Sequence, residues 1–250
     1  MAIAQNIKCS HCGAPVEFKP GELIATCRYC GFTTVIQTGQ AFNFEHSLIL
    51  NSYNLETIEN PINDWMDSGF IKPSDLRRKS KIFEKNLVYL PFWVVSAKAK
   101  AIYKGIFERI SPPIVKEGTL ENEYDWLVLA REASGFPTRE YNVPLEGKIP
   151  YDFRKIEGFA KILNSELDRD AALDIARTEI EAHNRFLLKE DVDRIIELKT
   201  QLDLKQMVYL HAPVWFIKFE YKKKSYTLIL DGSTGAAIRG DIPSAKFSIL

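Results

Sequence analysis

Two close pairs of cysteines stand near the N-terminus, and they contain every cysteine of the chain. Each pair encloses two residues, and fourteen residues separate the pairs. Four thiolates at this spacing can surround one zinc ion tetrahedrally, each sulfur about 2.3 Å from the metal. A glycine follows each pair, at Gly13 and Gly31, and lets the chain turn back so that backbone N–H groups point at sulfur. The sequence therefore predicts a structural zinc site with these ligands: Cys9, Cys12, Cys27 and Cys30.

Two other chemistries use paired cysteines, namely disulfides and redox-active dithiols. Disulfides are rare in cytoplasmic proteins, and a redox Cys-x-x-Cys normally stands alone at the start of a helix that follows a strand. His11 lies between two of the cysteines and could replace one of them, although four thiolates already complete the coordination. A site closed by four protein ligands leaves no position for water or substrate, so the predicted zinc is not catalytic.

Outside the cysteines, few residues are arranged for catalysis. The sequence contains no Gly-x-Ser-x-Gly nucleophile turn, no His-Glu-x-x-His motif and no Gly-x4-Gly-Lys-Ser/Thr phosphate loop. His183 falls on the apolar side of a predicted helix, which favours a core or boundary histidine over a ligand. Asp231 and Asp241 stand among turn residues and are expected to form turns. We therefore predict that the protein is not an enzyme.

Composition and charge narrow the remaining function classes. Hydrophobic residues make up 46% and aromatic residues 12% of the 250 positions, which is enough for a core of one or two domains. Lys and Arg balance Asp and Glu at 33 each, whereas nucleic-acid coats and polybasic membrane binders carry a surplus of cations. Nucleic-acid binding through the ribbon and two local basic segments, residues 77–81 and 222–224, stays open as the alternative function.

The sequence also indicates where the protein acts. No stretch approaches the ~20 consecutive apolar residues of a transmembrane helix, and the longest nearly apolar run, residues 87–97, contains a proline. The N-terminus lacks the basic and apolar regions of a secretory signal. These observations predict a soluble, cytoplasmic protein.

The pattern of apolar residues predicts an α+β fold in two parts. Residues 1–40 form a zinc ribbon, and residues 41–250 form an antiparallel-sheet-rich domain with segregated helices. Alternating or continuous apolar runs indicate strands, and apolar spacings of three and four indicate helices. The predicted elements are strands over 44–50, 82–110, 123–133, 215–221, 226–230 and 236–239, helices over 54–66 and 170–190, and a surface loop over 111–122.

Two passages of the second part are alike. Val88-Tyr-Leu-Pro-Phe-Trp-Val-Val95 matches Val208-Tyr-Leu-His-Ala-Pro-Val-Trp-Phe-Ile217, with two extra residues before the second proline. A proline is tolerated at the entry of a strand, and the tryptophan two residues later supplies a large anchor for the core. We interpret this internal repeat as two related β units, about 82–145 and 194–250, joined by a helical segment and packed about a pseudo-twofold axis.

The order of these features resembles a family of bacterial and archaeal proteins. Its members have an N-terminal zinc ribbon, two β segments that open with a Leu-Pro-x-Trp-like motif, and a final Asp/Asn-Gly-x-Thr-Gly turn. Nearly the whole chain takes part in the resemblance. The matching motifs are Leu90-Pro91-Phe92-Trp93, Pro213-Val214-Trp215 and Asp231-Gly232-Ser233-Thr234-Gly235.

The resemblance implies a non-catalytic adaptor. Members are often labelled as zinc ribbons of the transcription-factor type or as relatives of replication-restart helicases. Some continue into a C-terminal transmembrane helix and are encoded beside flotillin-like scaffold proteins. The resemblance thus implies an adaptor peripheral to the inner membrane face, with a flotillin-like scaffold as its protein partner.

Two other kinds of binding stay open beside this implication, and so does the presence of a membrane anchor. Self-association could replace a separate protein partner, and a small ligand could bind between the two β units. This chain stops about where the family's membrane helix would begin. It is therefore either a soluble version or a chain without its anchor.

Overall fold

The computed structural model describes residues 5–36, 44–131 and 135–243. A small four-stranded part, hereafter the ribbon, precedes a body built on one eight-stranded sheet, which confirms the predicted α+β class. The ribbon contains β1 (Gln5–Lys8), β2 (Pro15–Phe18), β3 (Ile24–Thr26) and β4 (Thr33–Val35). The body contains the strands β5 (His46–Leu48), β6 (Lys81–Phe107), β7 (Ile114–Leu129), β8 (Ile149–Pro150), β9 (Lys161–Ile162), β10 (Arg194–Tyr221), β11 (Lys224–Asp231) and β12 (Ala237–Gly240), and the helices α1 (Glu59–Asp67), α2 (Leu76–Lys79) and α3 (Arg169–Leu187). Within these residues, no helix has both the length and the apolar character needed to cross a bilayer.

Two long strands form the centre of the body. β6 has 27 residues and β10 has 28, and they pair antiparallel from Lys81 opposite Glu220 to Ile106 opposite Arg194. At about 3.3 Å per residue, such a strand extends roughly 85 Å where it is not bent. β7 and β9 lie on the outer edge of β6, while β11 and β5 lie on the outer edge of β10. The two central strands therefore connect all other parts of the sheet.

The two similar passages of the sequence lie opposite one another in this ladder. Pro91 is the Cα partner of His211, and Trp93 is the Cα partner of Tyr209. Trp93 and Trp215 are both fully buried, as expected for core anchors. The passages thus pair with each other, whereas a common origin of the two β units stays a prediction.

The two longer helices cover the same face of the sheet at opposite ends. Trp93, Tyr209 and Trp215 lie on this face, because side chains alternate along each strand between its bulges. α1 packs Ile62 and Met66 against the end that holds Trp215, and α3 packs Ile180 against the end that holds Trp93. Each helix therefore covers a hairpin that lies in the other half of the chain.

The predicted loop over 111–122 is wrong over most of its length. β7 begins at Ile114, and the whole remaining segment pairs with β6. Two prolines and Gly118 favoured a loop, but Gly118 lies inside the strand, where a Cβ would come within 2.7 Å of the Tyr103 hydroxyl. Acidic side chains of β7 form ion pairs with lysines of β6. Backbone pairing with β6 and the close contact between the Tyr103 ring and Gly118 explain why this segment is a strand, although its composition predicts a loop.

Asp231 closes the turn between β11 and β12, as expected of a turn former. One carboxylate oxygen accepts hydrogen bonds from the backbone N–H groups of Ser233 and Thr234 at 2.8 and 2.7 Å. The other accepts a hydrogen bond from the Tyr141 hydroxyl at 2.7 Å. Asp241 similarly accepts a hydrogen bond from a backbone N–H of β11 at 2.8 Å. Asp231 thus acts in turn structure, whereas Asp241, expected to form a turn, instead extends the pairing of β12 with β11.

The turn between β10 and β11 contains lysines where the backbone favours other residues. Tyr221 pairs with Lys224, so Lys222 and Lys223 form a two-residue turn. Their φ angles are 50° and 63°. Asn-Gly is the preferred sequence for such a turn, because a Cβ collides with the backbone in the left-handed region.

We expect the double substitution Lys222→Asn with Lys223→Gly to raise the free energy of unfolding by about 1 kcal/mol, because both new residues tolerate positive φ. Urea denaturation followed by circular dichroism measures the change. Lys223→Ala serves as the control and should give no gain, since alanine keeps its Cβ. Equal or lower stability of the Asn-Gly variant would contradict the strained-turn interpretation.

Candidate metal centre

Two tight loops, hereafter the knuckles, present the four cysteines. In the first knuckle, between β1 and β2, the Gly13 N–H donates to the Cys9 carbonyl at 2.9 Å. In the second, between β3 and β4, the Gly31 N–H donates to the Cys27 carbonyl at 2.8 Å. The φ angles of Gly13 and Gly31 are 74° and 76°. The two loops therefore have the same local geometry, with glycine at the positions that the sequence analysis identified.

The four sulfur atoms form a compact cluster. Cys9 Sγ lies 3.7 Å from Cys30 Sγ, and Cys12 Sγ lies 3.7 Å from Cys27 Sγ. All four sulfurs lie within 4.8 Å of one another. A regular tetrahedron with metal–sulfur bonds of about 2.3 Å has edges of about 3.8 Å. The cluster could therefore hold a metal ion, and its members are the four residues that the sequence predicts as ligands.

The surroundings of the sulfurs affect their ionisation unequally. Burial opposes ionisation of Cys9, but the N–H groups of Cys12 and His11 donate to its sulfur, and its pKa is lowered to about 7. Burial raises the pKa of Cys30 to about 12. Four neighbouring thiolates repel one another, so they need a cation among them to be ionised together. The cluster has the chemistry of a metal-binding group.

The second knuckle and β3 pack the ribbon onto the body. A Cβ on Gly31 would lie 2.9 Å from Phe153 Cβ, so glycine is required there for close approach as well as for its φ angle. Ile24 belongs to the same buried cluster as Trp93, and its backbone bridges to Ser165. The predicted boundary at residue 40 lies outside the described residues. The second half of the ribbon, however, shares the core of the body.

A shielded ion-pair network also joins the ribbon to the body. Arg131, at the end of β7, lies 3.0 Å from Glu22 of the ribbon and 2.5 Å from Glu166. The Arg131 guanidinium donates to the Asn164 carbonyl at 2.7 Å, and the Asn164 amide donates to Glu22 at 2.7 Å. Removal of Arg131 would leave the buried Glu22 carboxylate without this cation. The network therefore favours a single orientation of the ribbon.

The buried His211 and the half-buried His46 link the ribbon to the centre of the sheet, and the sequence analysis missed this pair. His46 Nε2 lies 2.9 Å from His211 Nδ1, and His46 Nδ1 lies 3.1 Å from Thr33 Oγ1 of β4. His211 Nε2 lies 3.0 Å from the Leu163 carbonyl oxygen. The Tyr151 ring stacks on His46 with a centroid distance of 3.9 Å. The only signal in the sequence is the position of His211 inside the second similar passage.

The environment of this pair keeps both rings neutral. Burial lowers the pKa of His211 to about 4. Burial, and then the neighbouring His211, lower the pKa of His46 well below its ordinary value. At pH 7 the chain from Thr33 through His46 and His211 to Leu163 is therefore an uncharged hydrogen-bonded series, in which each ring nitrogen has a partner.

The other two histidines lie apart from the metal cluster and the buried pair. His11 is exposed and stacks on Phe32 with a centroid distance of 5.5 Å; within the described residues, the metal cluster consists of the four cysteines. His183 is half-buried on α3 and contacts the rings of Tyr124 and Trp126. The prediction of a boundary histidine is confirmed.

A groove of about 600 Å³ lies between β2 of the ribbon and residues 153–164 of the body. Its position differs from that of the ligand site considered between the β units. Charged residues of both signs line it, namely Glu17, Lys19, Glu22, Arg28, Glu157 and Lys161. This mixed lining favours no single class of ligand.

Metal removal should unfold the ribbon while the sheet of the body stays folded, because structural metal binding supplies ~10–16 kcal/mol of apparent energy in small finger peptides. Hydrogen exchange with and without a strong chelator measures this. We expect fast exchange over residues 5–36 and slow exchange in β6 and β10. Cys27→Ser should give the same pattern without chelator. Loss of protection throughout β6 and β10 would show that ribbon and body unfold as one unit.

Stability should fall as the pH drops from about 6.5 towards 4. The unfolded histidines bind protons near pH 6.5, whereas the folded pair resists protonation, His211 until about pH 4. His211 then removes about 1.4 kcal/mol per pH unit within this window, and His46 acts in the same direction. Above pH 6.5 the contribution is constant.

Urea denaturation between pH 5 and 7.5 measures this slope. We expect His211→Gln to flatten it, because one of the two buried titrating groups is gone. His183→Gln is the control and should keep the slope of the parent protein. An unchanged slope in His211→Gln would contradict the assignment.

Comparison with known proteins leaves the geometry as the main guide to function. No family model, curated protein or solved structure matches the chain.

Proposed function

We propose that the chain is a non-catalytic adaptor, in which a structural zinc ion holds the ribbon and the surface of the body binds a protein partner. The observation that carries this proposal is the closed cluster of four cysteines packed on the body. Four thiolates complete the coordination of a tetrahedral metal, so water and substrate have no position on it. A metal held in this way stabilises the folded ribbon and therefore the surface that the ribbon presents.

Zinc fits this donor set best. Tetrahedral four-sulfur sites are typical of zinc and of iron–sulfur centres, and knuckle pairs on short hairpins are typical of structural zinc. Backbone N–H groups donate to the sulfurs of Cys9, Cys27 and Cys30. These hydrogen bonds offset the excess negative charge that four thiolates place around a divalent ion.

The polar groups best suited to proton transfer are engaged in structural contacts, which supports a role without catalysis. Each ring nitrogen of His46 and His211 has a hydrogen-bond partner. Both carboxylate oxygens of Asp231 accept hydrogen bonds within the turn and from Tyr141. None of these groups is free to accept a proton from a substrate.

The outer edge of β7 supports the protein-binding part of the proposal. In the described part of the chain, β7 pairs with β6 alone. Arg139 contacts the β7 backbone near its end, at Leu127, and residues 114–124 lie beyond that contact. An unpaired strand edge can accept a strand of another protein through main-chain hydrogen bonds. The family resemblance adds a flotillin-like scaffold as a candidate, and a second copy of this chain is the alternative.

Affinity capture of the tagged protein from its own cell lysate tests the proposal. We expect the same specific protein to be retained with and without nuclease, because the contact is between proteins. A tag-only resin is the control, and size-exclusion chromatography of the purified chain detects self-association.

Two outcomes would contradict the adaptor function. One is the absence of both a specific partner and self-association. The other is retention that disappears with nuclease, together with an affinity for DNA or RNA that falls steeply with salt. The second outcome would identify the nucleic-acid-binding alternative.

A further inference from the structure

An apolar tip projects from the loop between α1 and α2. Phe70 is 105% exposed and Ile71 is 65% exposed, so both side chains extend into solvent. Gly69, with a φ of 88°, turns the chain immediately before them. The two adjacent side chains form one small apolar projection, and exposed apolar surface becomes informative where it is contiguous and rimmed by polar residues.

The structure brings the two basic segments of the sequence together beside this tip. The Tyr221 hydroxyl, next to the β10–β11 turn, donates to Asp75 at the start of α2 at 2.6 Å. Arg77 of α2 in turn forms an ion pair with Asp67, at the end of α1, at 2.7 Å. The Phe70 surface is defined as the tip together with these exposed cations: Arg77, Arg78, Lys79, Lys81, Lys222, Lys223 and Lys224.

The Phe70 surface has a net positive charge. Seven cations stand against three acidic residues, Asp67, Asp75 and Glu220. Asp67 and Asp75 are each paired with one cation, Asp75 with Lys79 at 2.6 Å. The excess of four positive charges is notable because the chain as a whole is neutral.

The backbone gives independent support for a role of the cations. Lys222 and Lys223 occupy the two left-handed positions of the turn, with φ angles of 50° and 63°. Asn-Gly would fit this turn with less strain. Residues that adopt a backbone conformation unfavourable for their type are concentrated at functional sites.

We propose that the Phe70 surface binds an anionic lipid bilayer, with Phe70 and Ile71 entering the interface and the cations contacting lipid phosphates and carboxylates. Apolar side chains beside Lys and Arg are the combination that interfacial membrane binding uses. A single-stranded nucleic acid would instead need aromatic rings along a groove for base stacking. Here the aromatic ring stands on a projecting turn, and its neighbour is aliphatic. This inference is independent of the adaptor function.

Vesicle cosedimentation of the full chain tests the proposal. The vesicles are phosphatidylcholine alone, or phosphatidylcholine with about one third phosphatidylserine. We expect binding to the anionic vesicles that is lost at high salt, and little binding to the neutral ones. Phe70→Ser with Ile71→Ser should weaken the partition by about tenfold or more.

The turn supplies a charge variant that does not damage the fold. Lys222→Asn with Lys223→Gly removes two cations while relieving the strained turn, so weaker binding cannot come from unfolding. At about fivefold per cation, the partition should fall by about 25-fold. The matched controls lie elsewhere on the surface and should bind as the parent does, namely Phe186→Ser and the pair Lys155→Asn with Lys199→Asn.

Three results would overturn the proposal. The first is equal binding of the parent to neutral and anionic vesicles, or no binding to either. The second is parent-like binding by both the Phe70 and the Lys222 variants. The third is a uridine oligonucleotide that loses affinity in these variants while vesicle binding stays unchanged, because the surface would then be a nucleic-acid site.

Discussion

The continuous antiparallel ladder between β6 and β10 is the constraint that positions every other part of the body. Side chains alternate along each strand, so a slip of one residue would place Trp93 and Trp215 on opposite faces of the sheet. The pairing of β5 with β10 in turn places His46 beside His211. The sites of α1 and α3 therefore follow from the register of β6 and β10, and the contact of the ribbon with His46 follows from the pairing of β5 with β10.

The ribbon is held by contacts of different kinds, and each restricts its position differently. Ile24 contributes apolar contacts, whose energy depends little on the orientation of the ribbon. The Glu22–Arg131 ion pair and the Thr33–His46 contact have required geometries, because hydrogen bonds weaken steeply when they are misaligned. Polar contacts of this kind specify one orientation, and they connect the metal cluster to the centre of the sheet.

The sequence predicted the features that depend on local chemistry. Cysteine spacing and the two glycines identified the metal cluster, and the apolar spacing of residues 170–190 identified α3, whose cap Asp168 accepts a hydrogen bond from the Ala171 N–H. One apolar residue of this helix does not face the sheet, however. Phe186 is exposed, because the sheet that covers the helix reaches only its inner side.

The features that were missed depend on contacts between distant residues. His46 and His211 are 165 positions apart and meet only because β5 pairs with β10. The strand over residues 114–122 depends on pairing with β6, and its own composition favours a loop. Proximity of the two basic segments likewise depends on a contact between Tyr221 and Asp75. No local pattern encodes which distant segment a residue will meet.

Each of the two longer helices packs on a hairpin from the other half of the chain, and this arrangement has a consequence for synthesis on the ribosome. α1 leaves the ribosome early, but its apolar side packs against Trp215 and Phe219, about 150 residues later. Until β10 and β11 have emerged, Ile62 and Met66 lack a large part of the surface that they cover in the folded protein. Contacts this distant in sequence slow folding and leave apolar surface exposed on the nascent chain. The body therefore reaches its native packing only after nearly all of the polypeptide has been made.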